Sequence, residues 1–177
     1  RRLLMPRLAG TTPWTIDLAY LLTEYGVECQ YVTAMSGIQG VDEQSYAASS
    51  FYAKTLAVDA VRVNRLFRAA ERERVDVRTR RLSAAQLWAV MCEEETLVVA
   101  LVDARRLPWA SAEAAESTSQ FVGHFVLLLA VDEDRGGYIV TDPGAEEERC
   151  FVHFQDLEAA RRADGTDEDL LLIPAFQ

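Results

Sequence analysis

The sequence has few of the residues that metal sites and disulfide frameworks use. Its 177 residues include two histidines and three cysteines. The cysteines, Cys29, Cys92 and Cys150, are odd in number and lie far apart. No pair has the short spacing of a zinc site, and a disulfide framework needs a denser, even set. We therefore expect no disulfide, no metal ion, no other cofactor, and a reducing, cytoplasmic location.

Long apolar runs and nucleotide-binding motifs are also lacking. The longest uncharged apolar stretch, residues 121–131, is far shorter than the roughly 20 residues of a membrane helix. Residues 1–8 hold no apolar segment of the length that a signal peptide needs. The sequence has no Walker-type phosphate loop, no dinucleotide fingerprint and no serine-hydrolase nucleophile elbow. We expect no membrane partner.

Positively charged residues are outnumbered by negatively charged ones. Lysine and arginine total 18 against 28 aspartates and glutamates, which gives a net charge of −10. Such a chain repels nucleic acid as a whole. The one basic run, within residues 72–81, is interrupted by Glu73 and Asp76 and indicates a solvated helix end. We expect no nucleic-acid partner; the substrate, a small molecule or a peptide, and the oligomeric state are not determined by the sequence.

The composition that remains is typical of one globular domain, residues 1–177, with 50% apolar and 26% charged residues. Apolar residues at spacings of three and four predict helices at residues 13–25, 44–55, 59–73, 84–93 and 156–163. Apolar runs and alternation predict strands at residues 27–33, 75–80, 96–102, 123–131, 138–141, 150–154 and 170–173. Helices in the first half and an antiparallel meander in the second indicate an α+β fold.

His124 is the best candidate for a general base. It follows Gly123 and begins the most apolar strand of the chain. The other histidine, His153, is three residues from Cys150, so the two point to opposite faces of a strand and do not suggest a metal site. From the residues alone, His124 is either a base at a strand end or a structural histidine with a satisfied hydrogen bond.

Asp142 is the candidate partner of His124 because it ends the next predicted strand. A histidine and an aspartate at the ends of neighbouring strands resemble a base and the group that orients it, although Asp-Pro also begins turns. The two share a face if the register places Asp142 opposite Val126, diagonal to His124. A shift by one residue separates them, and a single β-bulge produces that shift.

No nucleophile follows from the residues. Cys29 lies within a predicted strand, Cys92 lies near a helix C-terminus, where the dipole disfavours a thiolate, and Cys150 lies beside a core strand. Each is interpreted as a small buried or half-buried residue. The acidic runs 146–148 and 167–169 are interpreted as solvated turns.

Several segments together resemble the guanylyl cyclase family over residues 14–173. They are Trp-Thr-Ile-Asp-Leu-Ala-Tyr-Leu at 14–21, Arg-Val-Asn-Arg-Leu-Phe at 62–67, Gly-His-Phe-Val-Leu at 123–127 with Asp-Pro at 142–143, and a last segment that begins at Phe154 and ends in Gly-Thr-Asp-Glu-Asp-Leu-Leu at 165–171. The resemblance implies a papain-like fold of the bacteriocin-processing-peptidase kind, with N-terminal helices and a C-terminal antiparallel sheet.

By this resemblance His124 takes the position of the catalytic base and Asp142 that of its orienting residue, where the family usually has asparagine. The family's cysteine segment lies upstream of the position of Trp14, and no cysteine precedes Trp14 here. We therefore expect a chain that lacks its N-terminal segment and its nucleophile.

The resemblance leaves three functions open, and with them the question whether the chain is an enzyme. The family label implies the formation of cyclic GMP from GTP, which needs metal-holding carboxylates and phosphate-binding cations; the sequence shows no convincing set of either. The His-Asp pair favours cysteine-hydrolase chemistry. The alternative is a non-catalytic interaction protein on a peptidase-like scaffold.

Overall fold

The computed structural model describes residues 13–38, 52–93, 95–110 and 121–175. Within these ranges the helices are α1 (Thr15–Glu24), α2 (Tyr52–Ala69), α3 (Ala84–Glu93) and α4 (Phe154–Arg161), with a 3₁₀ turn at Ala104–Arg106. The strands are β1 (Gln30–Thr33), β2 (Asp76–Thr79), β3 (Thr96–Asp103), β4 (Gly123–Asp132), β5 (Gly137–Thr141), β6 (Cys150–His153) and β7 (Leu170–Pro174).

The seven strands form a single mixed sheet in the order β2-β1-β7-β3-β4-β5-β6. Only β1 and β2 pair in parallel, and the other neighbours are antiparallel. The α+β prediction is confirmed. The expectation of a C-terminal antiparallel sheet is wrong, because the predicted first-half strands β1 and β2 join the same sheet and pair in parallel, and β7 inserts between β1 and β3. The apolar run of β7 suits a central strand that is covered on both faces.

Helices cover the sheet from both sides. Helices α3 and α4 pack on one face, which we call the α3/α4 face, and α1 and α2 pack on the other. The core of the α3/α4 face includes side chains that are at most 1% exposed: Leu87, Val98, Val102, Val126, Leu128, Val140, Val152 and Leu157. A second cluster lies under α1 and α2 and includes Ile16, Tyr31, Val63 and Leu171.

Two helices begin with side chains that bind free backbone amides. Helix α3 begins with a capping box, in which the Ser83 amide donates to the Gln86 side chain (2.9 Å) and the Gln86 amide donates to the Ser83 hydroxyl (3.2 Å). Trp14 is the N-cap of α1, and its amide donates to the Asp17 carboxylate (2.9 Å).

Helix α2 begins earlier than predicted. It runs without interruption from Tyr52, whereas the pattern predicted a start at residue 59. The separate helix predicted at residues 44–55 falls largely outside the described residues. Its last four positions, residues 52–55, belong to α2.

The acidic run at residues 167–169 is not the solvated turn that was predicted. Glu168 and Asp169 are 7% and 5% exposed. Glu168 forms ion pairs with Arg81 and Arg162, and the Tyr31 hydroxyl donates to Asp169 Oδ2 (2.9 Å). Arg81 and Tyr31 lie far away in sequence, so the run itself gave no sign of them. The other acidic run, residues 146–148, is exposed as predicted.

Arg161 is a buried arginine at the end of α4. Its side chain is 0% exposed, and its guanidinium donates to both carboxylate oxygens of Glu158 (2.5 and 2.7 Å) and to the Leu82 carbonyl (2.9 Å). A buried arginine that lost such a partner would be left with an uncompensated charge. Helix α4 is therefore fixed to the segment before α3 through Arg161, and the ion pair between Arg161 and Glu168 (3.9 Å) links the helix to the residues before β7.

Asp169 makes the stability depend on pH. Burial is the main cause that raises the pKa of Asp169, to about 6, and the charge of Asp167 adds to the rise. The folded protein therefore binds a proton at the Asp169 carboxyl more tightly than the unfolded chain does. Protonation of Asp169 stabilises the fold, and this contribution to the free energy of unfolding is present at low pH and is lost as pH rises from about 4 to about 6.

We predict that Asp169→Asn, which removes the charge and keeps an acceptor for Tyr31, is more stable than the wild type at pH 7 by roughly 2–3 kcal/mol. The difference should disappear near pH 4, where the wild-type carboxyl is protonated. Urea unfolding at both pH values measures it. Asp164→Asn removes an exposed carboxyl and controls for net charge. A difference of equal size at both pH values would contradict the prediction.

Candidate functional site

The candidate pair lies at one edge of the sheet. His124 is the second residue of β4, opposite Val102 of β3, and Asp142 directly follows β5. Because β4 and β5 are antiparallel neighbours, the beginning of one strand and the end of the other meet at this edge. The structure therefore brings together both residues that the sequence singled out.

A β-bulge decides that the two side chains share a face. Near the hairpin turn, Asp132 pairs with Gly137 and Ala130 with Ile139; beyond the bulge, Leu128 pairs with Val140. Continued by two residues, the register places Asp142 opposite Val126 and diagonal to His124, which is the condition that the sequence analysis set. Without the extra residue, Asp142 would point to the other face.

The two side chains are in direct contact. His124 Nε2 lies 2.5 Å from Asp142 Oδ1, and the His124 side chain is 29% exposed whereas that of Asp142 is 2% exposed. Two further groups donate to the carboxylate: the Trp109 indole N–H to Oδ2 (2.6 Å) and the Gly144 amide to Oδ1 (2.7 Å). A buried carboxylate is thus satisfied by three donors.

These donors keep Asp142 ionised. Burial alone would raise the pKa of Asp142, but the hydrogen bonds from Trp109, His124 and the Gly144 amide outweigh burial and hold the pKa below its ordinary value. An ionised carboxylate only accepts hydrogen bonds. In the neutral imidazole the proton is therefore on Nε2, and the lone pair is on Nδ1.

The Nδ1 side of the ring is available for chemistry. Among the described residues no hydrogen bond to Nδ1 is found, and the ring is partly exposed. An imidazole with one nitrogen held by a carboxylate and the other bearing a lone pair can accept a proton from a reactant. This is the chemical capacity that the geometry provides.

Sequence reasoning missed two residues of the site. Trp109 lies outside every predicted helix and strand, and nothing local indicates that its indole reaches Asp142. Gly144 carried a weak signal, since it follows Asp-Pro in a turn. A Cβ atom there would lie 3.3 Å from Asp142 Oδ1 and 3.5 Å from His124 Cε1, so glycine leaves room for the close approach of its amide.

The three cysteines are poor nucleophiles. Burial is the main cause that raises the pKa of each thiol, to about 11 for Cys29, and nearby carboxylates raise it further. Cys150 is buried and Cys92 is exposed. The second histidine, His153, is exposed on β6 with its ring against Phe151 (4.8 Å between centroids). None of these side chains makes a hydrogen bond to the pair.

Residues 13–38, 52–93, 95–110 and 121–175 contain no group of three or more histidine, cysteine, aspartate or glutamate side chains arranged to hold a metal ion. None of the described helices combines the length and the apolar character needed to cross a membrane.

The fold and site define an α+β protein with a histidine–aspartate pair at the edge of a mixed sheet. The sequence matches the model of the guanylylate cyclase family over residues 2–173. It is 33% identical over 166 residues to Guanylyl cyclase 1 of Arabidopsis thaliana, a match that covers 90% of this chain. The chain belongs to the guanylylate cyclase family, which confirms the resemblance seen in its segments. It spans 59% of the length of that relative.

Asp142 makes the stability of the protein depend on pH in the opposite direction to Asp169. Because the folded-state pKa of Asp142 is lowered, its ionised form contributes stability that is present above the ordinary value near 4 and is lost as pH falls through the folded-state pKa. The neutral replacement Asp142→Asn cannot make this contribution.

We predict that Asp142→Asn is less stable than the wild type at pH 7 and that the deficit shrinks on acidification below about pH 4. Urea unfolding across this range measures it. Asp169→Asn is the internal comparison, because its effect runs the other way. A deficit that does not depend on pH would mean that the charge of Asp142 contributes nothing.

Proposed function

We propose that the site catalyses acyl transfer of the cysteine-hydrolase type in a papain-like arrangement, with His124 as general base and Asp142 as the residue that orients it. The observation that carries the proposal is the contact between His124 Nε2 and the ionised, buried Asp142. Held in this way, the imidazole presents the basic Nδ1 to a reactant. The partly exposed ring gives a reactant access.

The reaction would run in two halves. Nδ1 of His124 takes the proton of a thiol, the thiolate attacks the acyl carbon of the substrate, and the imidazolium returns the proton to the leaving group. In the second half Nδ1 takes a proton from water, which attacks the acyl-enzyme thioester, and the proton returns to the released thiolate. Asp142 stays ionised throughout and stabilises the imidazolium.

The thiol in this proposal comes from outside the 177 residues. The pKa values of Cys29, Cys92 and Cys150 are raised, whereas a nucleophilic cysteine needs a lowered pKa or an adjacent base. The relative Guanylyl cyclase 1 is longer than the matched segment, which leaves room for such a residue in a protein of that length.

Cyclisation of GTP to cyclic GMP is the second candidate, and family membership is the observation that favours it. That reaction needs a divalent cation and groups that bind a triphosphate. It would not require an added thiol, so the two candidates differ in a property that can be measured directly.

We predict that the protein expressed from its complete coding sequence reacts rapidly with iodoacetamide at one cysteine outside residues 1–177. The reaction should be slower by roughly 10²-fold in His124→Ala, because the base that forms the thiolate is lost. Mass spectrometry of the digested protein locates the adduct and gives its rate. His153→Ala, which removes the exposed histidine, should react like the wild type.

A protein in which no cysteine reacts faster than the exposed Cys92 would contradict the hydrolase proposal. Production of cyclic GMP from GTP with Mg²⁺ or Mn²⁺ by the same preparation would then favour the second candidate. If neither reaction occurs and binding of a protein partner is unaffected by His124→Ala, the non-catalytic alternative holds.

A further inference from the structure

The loop that carries Trp109 is built around a buried aspartate. Asp103, 1% exposed at the end of β3, accepts hydrogen bonds from the Arg105 amide (3.2 Å), the Arg105 guanidinium (2.5–3.2 Å) and the Val122 amide (3.4 Å). It thereby caps the 3₁₀ turn and ties the end of β3 to the start of β4. The chain leaves this turn in a direction set by groups inside the core.

A second tight turn presents the indole to the site. Leu107 is 5% exposed and belongs to the core of the α3/α4 face, and the Ala110 amide donates to its carbonyl (3.1 Å). Trp109 lies inside this turn and packs against the same core. Its Nε1 donates to Asp142 Oδ2 at 2.6 Å.

We propose that Trp109 is a positioning residue of the site, which acts on His124 through Asp142. The inference rests on the proposed role of the His124–Asp142 pair. A carboxylate can rotate about its Cβ–Cγ bond, and that torsion is broad. Here one oxygen is held by Trp109 and the other by the Gly144 amide, so an oxygen always faces the imidazole.

The indole also stabilises the ionised form of Asp142. A neutral N–H donor lowers the free energy of the carboxylate and makes it less basic. Asp142 then accepts a hydrogen bond from the imidazole without taking its proton. Because the indole N–H has no acid–base chemistry of its own at ordinary pH, Trp109 can perform this task without becoming a reactant.

The experiment is a pair of NMR measurements on Trp109→Phe, which keeps an aromatic ring and removes the N–H. We expect the pKa of Asp142, followed by its carboxyl ¹³C shift, to rise by roughly 0.5–1 unit, the equivalent of one neutral hydrogen bond. We also expect the ¹⁵N shifts of neutral His124 to show a smaller share of the Nε2–H tautomer. Trp88→Phe, a half-buried tryptophan of α3, should change neither.

A wild-type measurement keeps the inference testable if Trp109→Phe does not fold. The indole ¹H–¹⁵N signal of Trp109 should titrate with the same midpoint as the Asp142 carboxyl, and this titration should be absent in Asp142→Asn. A role limited to packing would leave the indole signal independent of Asp142. An unchanged titration of Asp142 in folded Trp109→Phe would overturn the inference.

These readouts need no catalytic activity, so they separate this inference from the proposed function. If iodoacetamide finds no reactive thiol but Trp109→Phe shifts the Asp142 titration, the hydrolase proposal fails and the coupling through Trp109 remains. If a reactive thiol is found, its labelling in Trp109→Phe should slow by roughly tenfold. On acidification, the labelling rate of this variant should begin to fall at a higher pH than that of the wild type. A labelling rate and pH profile equal to those of the wild type would also overturn the inference.

Discussion

The burial of one carboxylate organises this edge of the sheet. An ionised group that is almost removed from water needs hydrogen-bond donors of good geometry. Asp142 has three such donors, which come from three different parts of the chain: the loop after β3, the first residues of β4 and the turn after β5. The strands next to these segments are fixed by the core of the α3/α4 face, in which Val126 and Val140 are at most 1% exposed. The position of the imidazole therefore depends on the packing of the α3/α4 face as much as on the aspartate itself.

Asp142 and Asp169 are both buried, and they show how different surroundings give a carboxyl group different chemistry. Asp142 is surrounded by N–H donors and stays ionised. Asp169, beside Asp167 and three hydroxyl groups, holds a proton more tightly than an exposed carboxyl. Asp142 also contacts a histidine, so it can orient that base and stabilise its charged form. Asp169 fixes the start of β7, and its atoms make no described contact with the pair.

His124 and Asp142 could be predicted from the sequence because strand ends are visible in apolar patterns, and antiparallel neighbours bring such ends together. Their register could not be predicted, because nothing in the run around Leu129 marks a bulge. The position of β7 between β1 and β3 could not be predicted either, since strand partners are chosen by contacts distant in sequence. Trp109 was missed for a similar reason: the path of its loop depends on Asp103, and its partner lies 33 residues further along.

The bulge at Leu129 also limits where the length of this hairpin can change. Side chains alternate with a period of two along a strand, so a single residue gained or lost inside β4 or β5, between the turn and the pair, would turn one of the two side chains away from the other unless the bulge appeared or vanished with it. The turn at Glu133–Gly136 carries no such penalty, because hairpin loops of different lengths can join strands that pair in the same way. The hairpin can therefore gain or lose single residues at its tip without disturbing the pair, whereas its two strands can do so only together with a bulge.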